Sequence, residues 1–579
     1  MPDPDPMRAH LSTPAMPAAT ARRTWPSRAV PLLLFAAAML LYAVNLGHLP
    51  HPDELYQIIP AESLLATGKP RIADGLYTRA LAQTWIIAGS FRLFGHSLAV
   101  ARLSSAVGIA GTVALLFAWL RRGPGPVAAW LGALGYGLSP FAVGTAHFAR
   151  IYGVQTFAFL AACLLAHAAV PASRPPGPAR ARELWRKAGL LSLALLLLAL
   201  AVHLQPTTLM GVAGLGLWAA GGLALPWLRD AAVPVPRKRL AVATALVLGL
   251  LLLAAAWATG LLGWLWYAYR NTPVFAEHDK NRFWYYFAWY LLDYPVLWLL
   301  TVPLAAAALA VWPRPASLAS CVFAVGFVLN SFGGQKALNY IAYAQPFLFA
   351  LWATGLAALW HHPEARRALP WAAGPVSRLT AGFLGSEARR GWLARGALLA
   401  LLLASPAWVV TAAQLAGLSL PGTEPIPDWA AARPSLEPWL KRVPVVVTTE
   451  ELGTLYFLGR YDIRFSPSKL GEIEAQDRRE FAPDWRTGRA VISTVGSLGQ
   501  VFDCYQEGLF LLASRQWGHA HLFSPEVQAF VRDHARPLPL PEDSEVTAYG
   551  WSHPEGYRPP AACASLPPMP GPGAGVRPH

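Results

Sequence analysis

Eleven stretches of this chain are apolar over roughly the 17–25 residues that a helix needs to cross a hydrocarbon core, and they constrain its architecture more than any other feature. They fall near 29–46, 102–120, 124–143, 151–170, 188–204, 207–228, 240–268, 288–311, 316–331, 338–360 and 396–415. Backbone polar groups inside a bilayer must be satisfied within the segment, so runs of this kind form helices. Charged residues make up only 14% of the 579 residues, too few to clothe a soluble fold of this size, and the 55% hydrophobic content excludes a disordered chain. The expected fold is a polytopic all-α membrane bundle of about eleven spans, with an interfacial helix in its first external loop and a small external α/β domain at its C-terminal end.

Basic residues orient the bundle. The stretch 80–95 (ALAQTWIIAGSFRLFG) is short and carries Gln83, Ser90 and Arg92, so it is read as lying on the membrane. The basic clusters at 174–187, 229–239 and 366–395, with Arg121, Arg122 and Arg314, then share the side of the N-terminal tail. The other loops hold fewer than half as many, with Arg102 counted among them. Positive residues favour the cytoplasm, so the N-terminus is placed inside and the C-terminal part outside the plasma (inner) membrane. This accounts for the formal charge of +15 without a nucleic-acid partner. The expected organisation is a disordered tail over 1–28, a membrane domain over 29–415 with its first external loop at 47–101, a soluble α/β domain over 416–556, and a disordered Pro/Gly-rich end over 557–579. In the soluble part, 443–450 and 489–496 read as buried strands and 504–517 as a helix. Cys504 and Cys563 would share an oxidising compartment and are candidates to pair.

The unusual residues gather in the first external loop, GHLPHPDELYQIIPAESLLATGKPRIADGLYTR (47–79). Asp53 and Glu54 open it just past the first apolar run. A carboxylate there can serve as a general base for a bound hydroxyl. Pro-Asp-Glu is equally a helix start, with two acids favoured by the helix dipole. His48, His51 and Asp53 could in principle hold a divalent metal, but no further strong ligand is evident, and no metal or other cofactor is expected. Basic groups stand beside aromatics in three more external loops: Arg150 with Tyr152; Arg270, Lys280 and Arg282 in 269–286; and Lys336 with Tyr340. Converging, they would make an anion site suited to phosphate; separate, they are long side chains reaching the interface.

Four pieces in this order carry a resemblance: the Asp53-Glu54 pair, GLYTRALAQTWIIAGSFRLFGHSLAVARLSS (75–105), ARIYG (149–153) and QKALNYIAYAQPFL (335–348). Over roughly 29–360 the chain resembles the GT-C membrane glycosyltransferases, specifically family 39, which includes protein O-mannosyltransferases and relatives of the lipid A aminoarabinose transferases. TLYFLGRYDIRF (454–465) and TGRAVIST (487–494) resemble the tail domain of bacterial members. The resemblance implies a polyprenyl-phosphate-linked sugar as donor, moved with inversion to an acceptor protein, lipid or glycan at the external membrane face. It implies Asp53, with Glu54 beside it, at the reaction centre. On this layout Arg79, Arg150 and Lys336 are expected as donor-phosphate ligands, and the neighbouring Tyr56, Tyr77, Tyr152 and Tyr340 as substrate-binding groups. Aminoarabinose-type relatives have Lys-Pro-Pro where this chain has Arg79-Ala80-Leu81, and an acid in the loop where Arg150 is followed by none. Two rivals remain open: a transporter or flippase of lipid-linked sugars, and a non-catalytic glycolipid-binding protein. The apolar runs nearly lack the acids that transporters place at midplane.

Overall fold

The computed structural model describes residues 29–170, 180–224, 234–260, 262–263, 281–333, 336–361, 405–418, 425–466, 479–518 and 523–566. The tail over 1–28, Arg270, Lys280, the 366–395 cluster and residues 567–579 lie outside them.

Each of the eleven apolar runs is mostly helical where it is described. The order is α1 (Ala29–Ala43), α2 (Pro52–Thr67), α3 (Leu81–Phe94), α4 (Leu98–Arg122), α5 (Pro126–Gly137), α6 (Pro140–Ala146), α7 (Tyr152–Ala169), α8 (Arg180–Leu204), α9 (Thr208–Ala219) and α10 (Val235–Ala258). Among the described residues five helices are long and apolar enough to cross a membrane, or six if α5 and α6, bent by 56°, count as one. The expected eleven full spans are not all present as unbroken helices. The 288–311 run is three pieces, Tyr285–Asp293, Pro295–Leu299 and Thr301–Val311. Pro295 opens the second piece, since its ring fits a first turn and breaks a helix interior. The outer faces of α8 and α10 expose Leu195, Leu196, Leu246, Leu250, Leu251 and Trp257, a surface stable only against lipid.

α3 has 14 residues, about 21 Å at 1.5 Å per residue, short of a core about 30 Å thick. It buries Ile87, Ala88 and Phe91 and exposes Trp85, Leu93 and Phe94.

The C-terminal part is a six-stranded mixed sheet in the order β5-β4-β3-β6-β8-β7. A two-stranded hairpin, β1 (Arg71–Ile72) and β2 (Gly75–Leu76), precedes it in the loop between α2 and α3. Its strands are β3 (Val445–Thr448), β4 (Ile463–Phe465), β5 (Ala490–Ile492), β6 (Glu507–Ala513), β7 (Arg536–Pro537) and β8 (Val546–Ser552). The first four are parallel neighbours and β8 pairs antiparallel to β6. The strands expected within 443–450 and 489–496 are present. The helix expected over 504–517 is instead β6, followed by a 3-10 turn, and the helix lies before it at Val495–Cys504. The reason is burial: Gly508 to Ala513 are all buried, as a strand inside a two-sided core requires.

Alternation along the strands sends Val445, Val447, Phe510 and Leu512 to a core beneath Leu498, Val501, Val527 and Val531. Val446, Leu509 and Leu511 face the other way. There they share one core with Leu55, Ile58 and Ile59 of α2, Ile72 and Tyr77 of the hairpin, and Ile87 and Phe91 of α3. The loop over 47–79 and the C-terminal domain, read from sequence as separate units, are therefore packed together.

Cys504 and Cys563 form a disulfide, their Cα atoms 5.3 Å apart and 59 residues apart in sequence. The expected disordered end is accordingly ordered at its start, through the 3-10 turn Ala561–Ser565. Closing a loop of this length constrains the unfolded chain, and Cys504→Ser is expected to lower stability by about 4 kcal/mol. Denaturation of the two proteins checks this, with maleimide labelling of neither cysteine in the unreduced wild type.

Candidate active site

His51 and Pro52 start α2 with a reciprocal cap. The Asp53 amide donates to His51 Nδ1 (3.1 Å), and the Glu54 carboxylate accepts the His51 amide (2.9 Å). Successive helical residues point about 100° apart, so the two acids diverge. Glu54 turns inward and is fully buried. Its carboxylate takes a two-pronged pair from Arg102, Nε to Oε2 and Nη2 to Oε1, both 2.7 Å, and the Ala149 amide at 2.7 Å. The remaining Arg102 donors go to the carbonyls of Leu46, His48 and Leu49. Arg102, read from sequence as a loop cation, is a buried residue of α4 that ties the end of α1, the start of α2 and the 147–151 turn into one knot. The two acids thus diverge: the Glu54 carboxylate is taken up by Arg102 and the Ala149 amide, and of the pair Asp53 alone has an exposed side chain.

The 147–151 turn is held from α4 as well. Ser105 Oγ donates to the carbonyls of Phe148 (2.7 Å) and Arg150 (3.1 Å). Gly153 lies so close to Ser105 that a Cβ would sit 2.7 Å from its Cα, which explains the glycine in ARIYG.

Asp53 points the other way. Its side chain is exposed to solvent-accessible space although protein surrounds it closely. Burial alone would push its carboxyl up; the charges of Arg150, His51, Arg79 and Arg486 together hold it below its ordinary value of 3.8. Asp53 is thus ionised at neutral pH. Arg150 Nη1 donates to the Asp53 carbonyl at 3.0 Å, and its guanidinium stands 5.9 Å from the centre of the Tyr56 ring. Tyr56 stacks on Tyr77 (5.8 Å). Tyr152 and Tyr340 both lie within electrostatic reach of Asp53, Arg79 and Arg150. The structure therefore gathers Asp53, Arg79, Arg150 and the four expected tyrosines in one place, from four separate segments.

Lys336 is different. Its ammonium is buried and donates to the carbonyls of Asn281 (3.0 Å) and Gly333 (2.6 Å), and among the described residues no contact joins it to Asp53, Arg79 or Arg150. Binding donor phosphate would require it to give up both, so the structure does not support that expectation. His51 is occupied as the α2 cap and His48 Nδ1 lies 2.7 Å from the Leu49 carbonyl. Among the described residues no three His, Cys, Asp or Glu side chains are placed to hold a metal.

Sequence reasoning missed the contribution of the C-terminal domain. Glu451, just past β3, accepts the Tyr56 hydroxyl at 2.9 Å and pairs with Arg464 of β4 at 2.9 Å. Arg486 places its guanidinium 4.9 Å from the Tyr56 ring centre. Nothing local in DWRTGR marks this residue; only the shared core brings it there.

The fold as a whole has counterparts among solved structures of membrane glycosyltransferases. The chain is similar to ArnT from Cupriavidus metallidurans, solved bound to undecaprenyl phosphate and in the apo state, each with a TM-score of 0.54 at 15% identity over 91% of this chain and 99% of that one. It is also similar to the archaeal oligosaccharyltransferase AglB from Archaeoglobus fulgidus, solved with an inhibitory peptide and a dolichol-phosphate, with a TM-score of 0.50 at 14% identity over 89% of this chain and 73% of that one. No protein-family model and no curated protein matches the chain.

Proposed function

We propose that this protein is a membrane glycosyltransferase that moves a sugar from a polyprenyl-phosphate-linked donor to an acceptor at the external face of the membrane, with Asp53 as base. The observation that carries the reading is one ionised, accessible carboxylate ringed by Arg79, Arg150 and Arg486 where the bundle meets the external domain. ArnT, bound to undecaprenyl phosphate, and AglB, in complex with a dolichol-phosphate, support a lipid-linked donor on this fold.

A lipid-linked donor stays in the bilayer, so its phosphate must be met at the surface. Arg79 and Arg150 hold it there as charge-assisted donors. An acceptor O–H or N–H approaches the anomeric carbon from the side away from phosphate. Its lone pair forms the new bond, the carbon–oxygen bond to phosphate breaks, and that electron pair leaves on the phosphate oxygen. Asp53 takes the acceptor proton, and the configuration inverts. Tyr56, Tyr77, Tyr152 and Tyr340 line the site for the sugar. The Cys504–Cys563 disulfide supports placing the external domain, and hence this site, in an oxidising compartment outside the cytoplasm.

The reaction needs the Asp53 carboxylate, so its acid limb should lie below pH 3.8, and activity should fall as pH drops through that limb. Arg150 is the strongest influence lowering the group, so Arg150→Ala should move the limb to higher pH and raise the donor KM. Profiles of kcat/KM against pH for the two proteins check this. The reading itself is tested by incubating the purified full chain with radiolabelled polyprenyl-phosphate sugars and pooled envelope acceptors. Breakage of the sugar–phosphate bond is expected; intact donor in every combination overturns the assignment.

A further inference from the structure

We infer that Asp293 is the anionic ligand of a monovalent-cation site inside the membrane bundle, where the breaks in two apolar runs meet. This goes beyond the glycosyltransferase reading and does not depend on it.

Asp293 is the one Asp or Glu within the eleven apolar runs. A charge there is costly, and the acids that membrane proteins keep inside a bundle face its interior and take a partner. Asp293 does face the interior. It follows Tyr286 and Tyr290 along the buried stripe of the helix Tyr285–Asp293 and is 6% exposed, whereas Leu292 beside it points outward and is 67% exposed. Among the described residues its carboxyl makes no hydrogen bond and no ion pair, and no basic group acts on it. Asp293 also closes its helix. The C-terminal end of a helix is the negative end of the peptide dipole, so the position itself favours a cation. Burial, the missing partner and the helix end all oppose a bare carboxylate there, and a bound cation offsets all three.

The backbone around Asp293 is broken on two sides. Its own helix stops at Tyr294 (φ −134°, ψ 57°), ahead of Pro295. Nearby, α5 gives way to α6 at Leu138 and Ser139 with a bend of 56°. Phe141 of α6 joins the two breaks, its ring 5.4 Å from Tyr290 and 6.1 Å from Tyr294. One further segment braces both: Ser405 donates to the Asp293 carbonyl, and Thr411 donates to the Leu138 carbonyl at 2.8 Å. Interrupted helices at membrane depth bring carbonyl oxygens and half-helix C-terminal ends together, which is how cations are held inside bundles. Asp293 lies about 12 Å along its helix from Tyr285, in a run that continues to Val311, so it sits within the bundle and not at its rim. One carboxylate among neutral oxygens suits a monovalent ion. Tyr290 and Tyr294 lie within electrostatic reach of Asp293 and supply hydroxyl oxygens. A divalent ion calls for more acids, and among the described residues no three His, Cys, Asp or Glu side chains are placed to hold one.

The test measures the binding of radioactive sodium to the purified full chain in detergent, with choline chloride holding the ionic strength constant. Wild type should bind one sodium ion per chain, displaced by unlabelled sodium and not by choline. Asp293→Asn keeps the shape and removes the charge, and should lose the site outright. Asp543→Asn, on the exposed surface of the C-terminal domain, should bind sodium as wild type does. Sodium in place of choline should also raise the melting temperature of wild type, because a ligand of the folded state stabilises it, and should leave that of Asp293→Asn unmoved. In choline alone Asp293→Asn should melt no lower than wild type, since it carries no uncompensated acid; this also shows that the variant folds. Absence of saturable sodium binding by wild type, or equal binding by Asp293→Asn, overturns the inference. Neither readout involves donor or acceptor, so the glycosyltransferase reading stands or falls separately.

Discussion

Arg102→Ala is expected to destabilise the protein by about 3–5 kcal/mol and to abolish transfer, although Arg102 touches no substrate. The cost follows from what remains behind. The Glu54 carboxylate would be left without its partner at a position with no exposure, and the carbonyls of Leu46, His48 and Leu49 would lose their donors. A buried ion pair broken on one side is far worse than one never built. Function falls with structure because the same knot sets the α2 start, from which Asp53 projects, and the 147–151 turn, from which Arg150 projects. Arg102→Lys should rescue little, since an ammonium cannot supply a planar fork and three carbonyl bonds together. Thermal denaturation and expression level in the membrane fraction read the effect directly.

Asp53→Asn should behave in the opposite way: a loss on the order of 10²-fold or more in kcat/KM with folding unchanged. Asn preserves shape and hydrogen bonding but takes no proton at neutral pH. The Asp53 side chain is accessible, so no buried partner is orphaned by its change. Glu54→Gln is the contrast. It weakens the Arg102 knot and should lower melting temperature and activity together. The two neighbouring acids are thereby separable by experiment, one through chemistry and one through stability. Normal turnover by Asp53→Asn with both substrates saturating would return the acid to a helix-start role.

The sequence exposes the helices plainly because hydropathy alone decides what crosses a bilayer. It is less informative on continuity: in 288–311 a long apolar run conceals breaks at Tyr294 and Leu300, set by Pro295 and by packing. In the C-terminal domain EGLFLLA (507–513) has no period to read, since a strand buried on both faces and a buried helix look alike over seven residues. The site was legible where its residues sit in one loop. Asp53, Tyr56, Tyr77 and Arg79 share the stretch before α3, and the His51-to-Glu54 cap is written in HPDE. Which of two adjacent acids faces the substrate depends on the direction of α2, which long-range contacts fix. Arg102 carried a signal in its apolar surroundings, since an arginine inside such a helix requires a buried partner. Arg486 carried none, because more than 400 residues separate it from the hairpin that seats it.

A proteoliposome experiment tests the central claim most directly, because it sets transfer against the rival transport function. The purified chain is reconstituted with a radiolabelled polyprenyl-phosphate sugar and acceptor, and both the freed polyprenyl phosphate and the leaflet position of the intact donor are measured. The account predicts freed lipid phosphate and glycosylated acceptor in one-to-one amounts with wild type, and neither with Asp53→Asn. Movement of intact donor between leaflets at equal rates in both proteins, with no lipid phosphate freed, would contradict it.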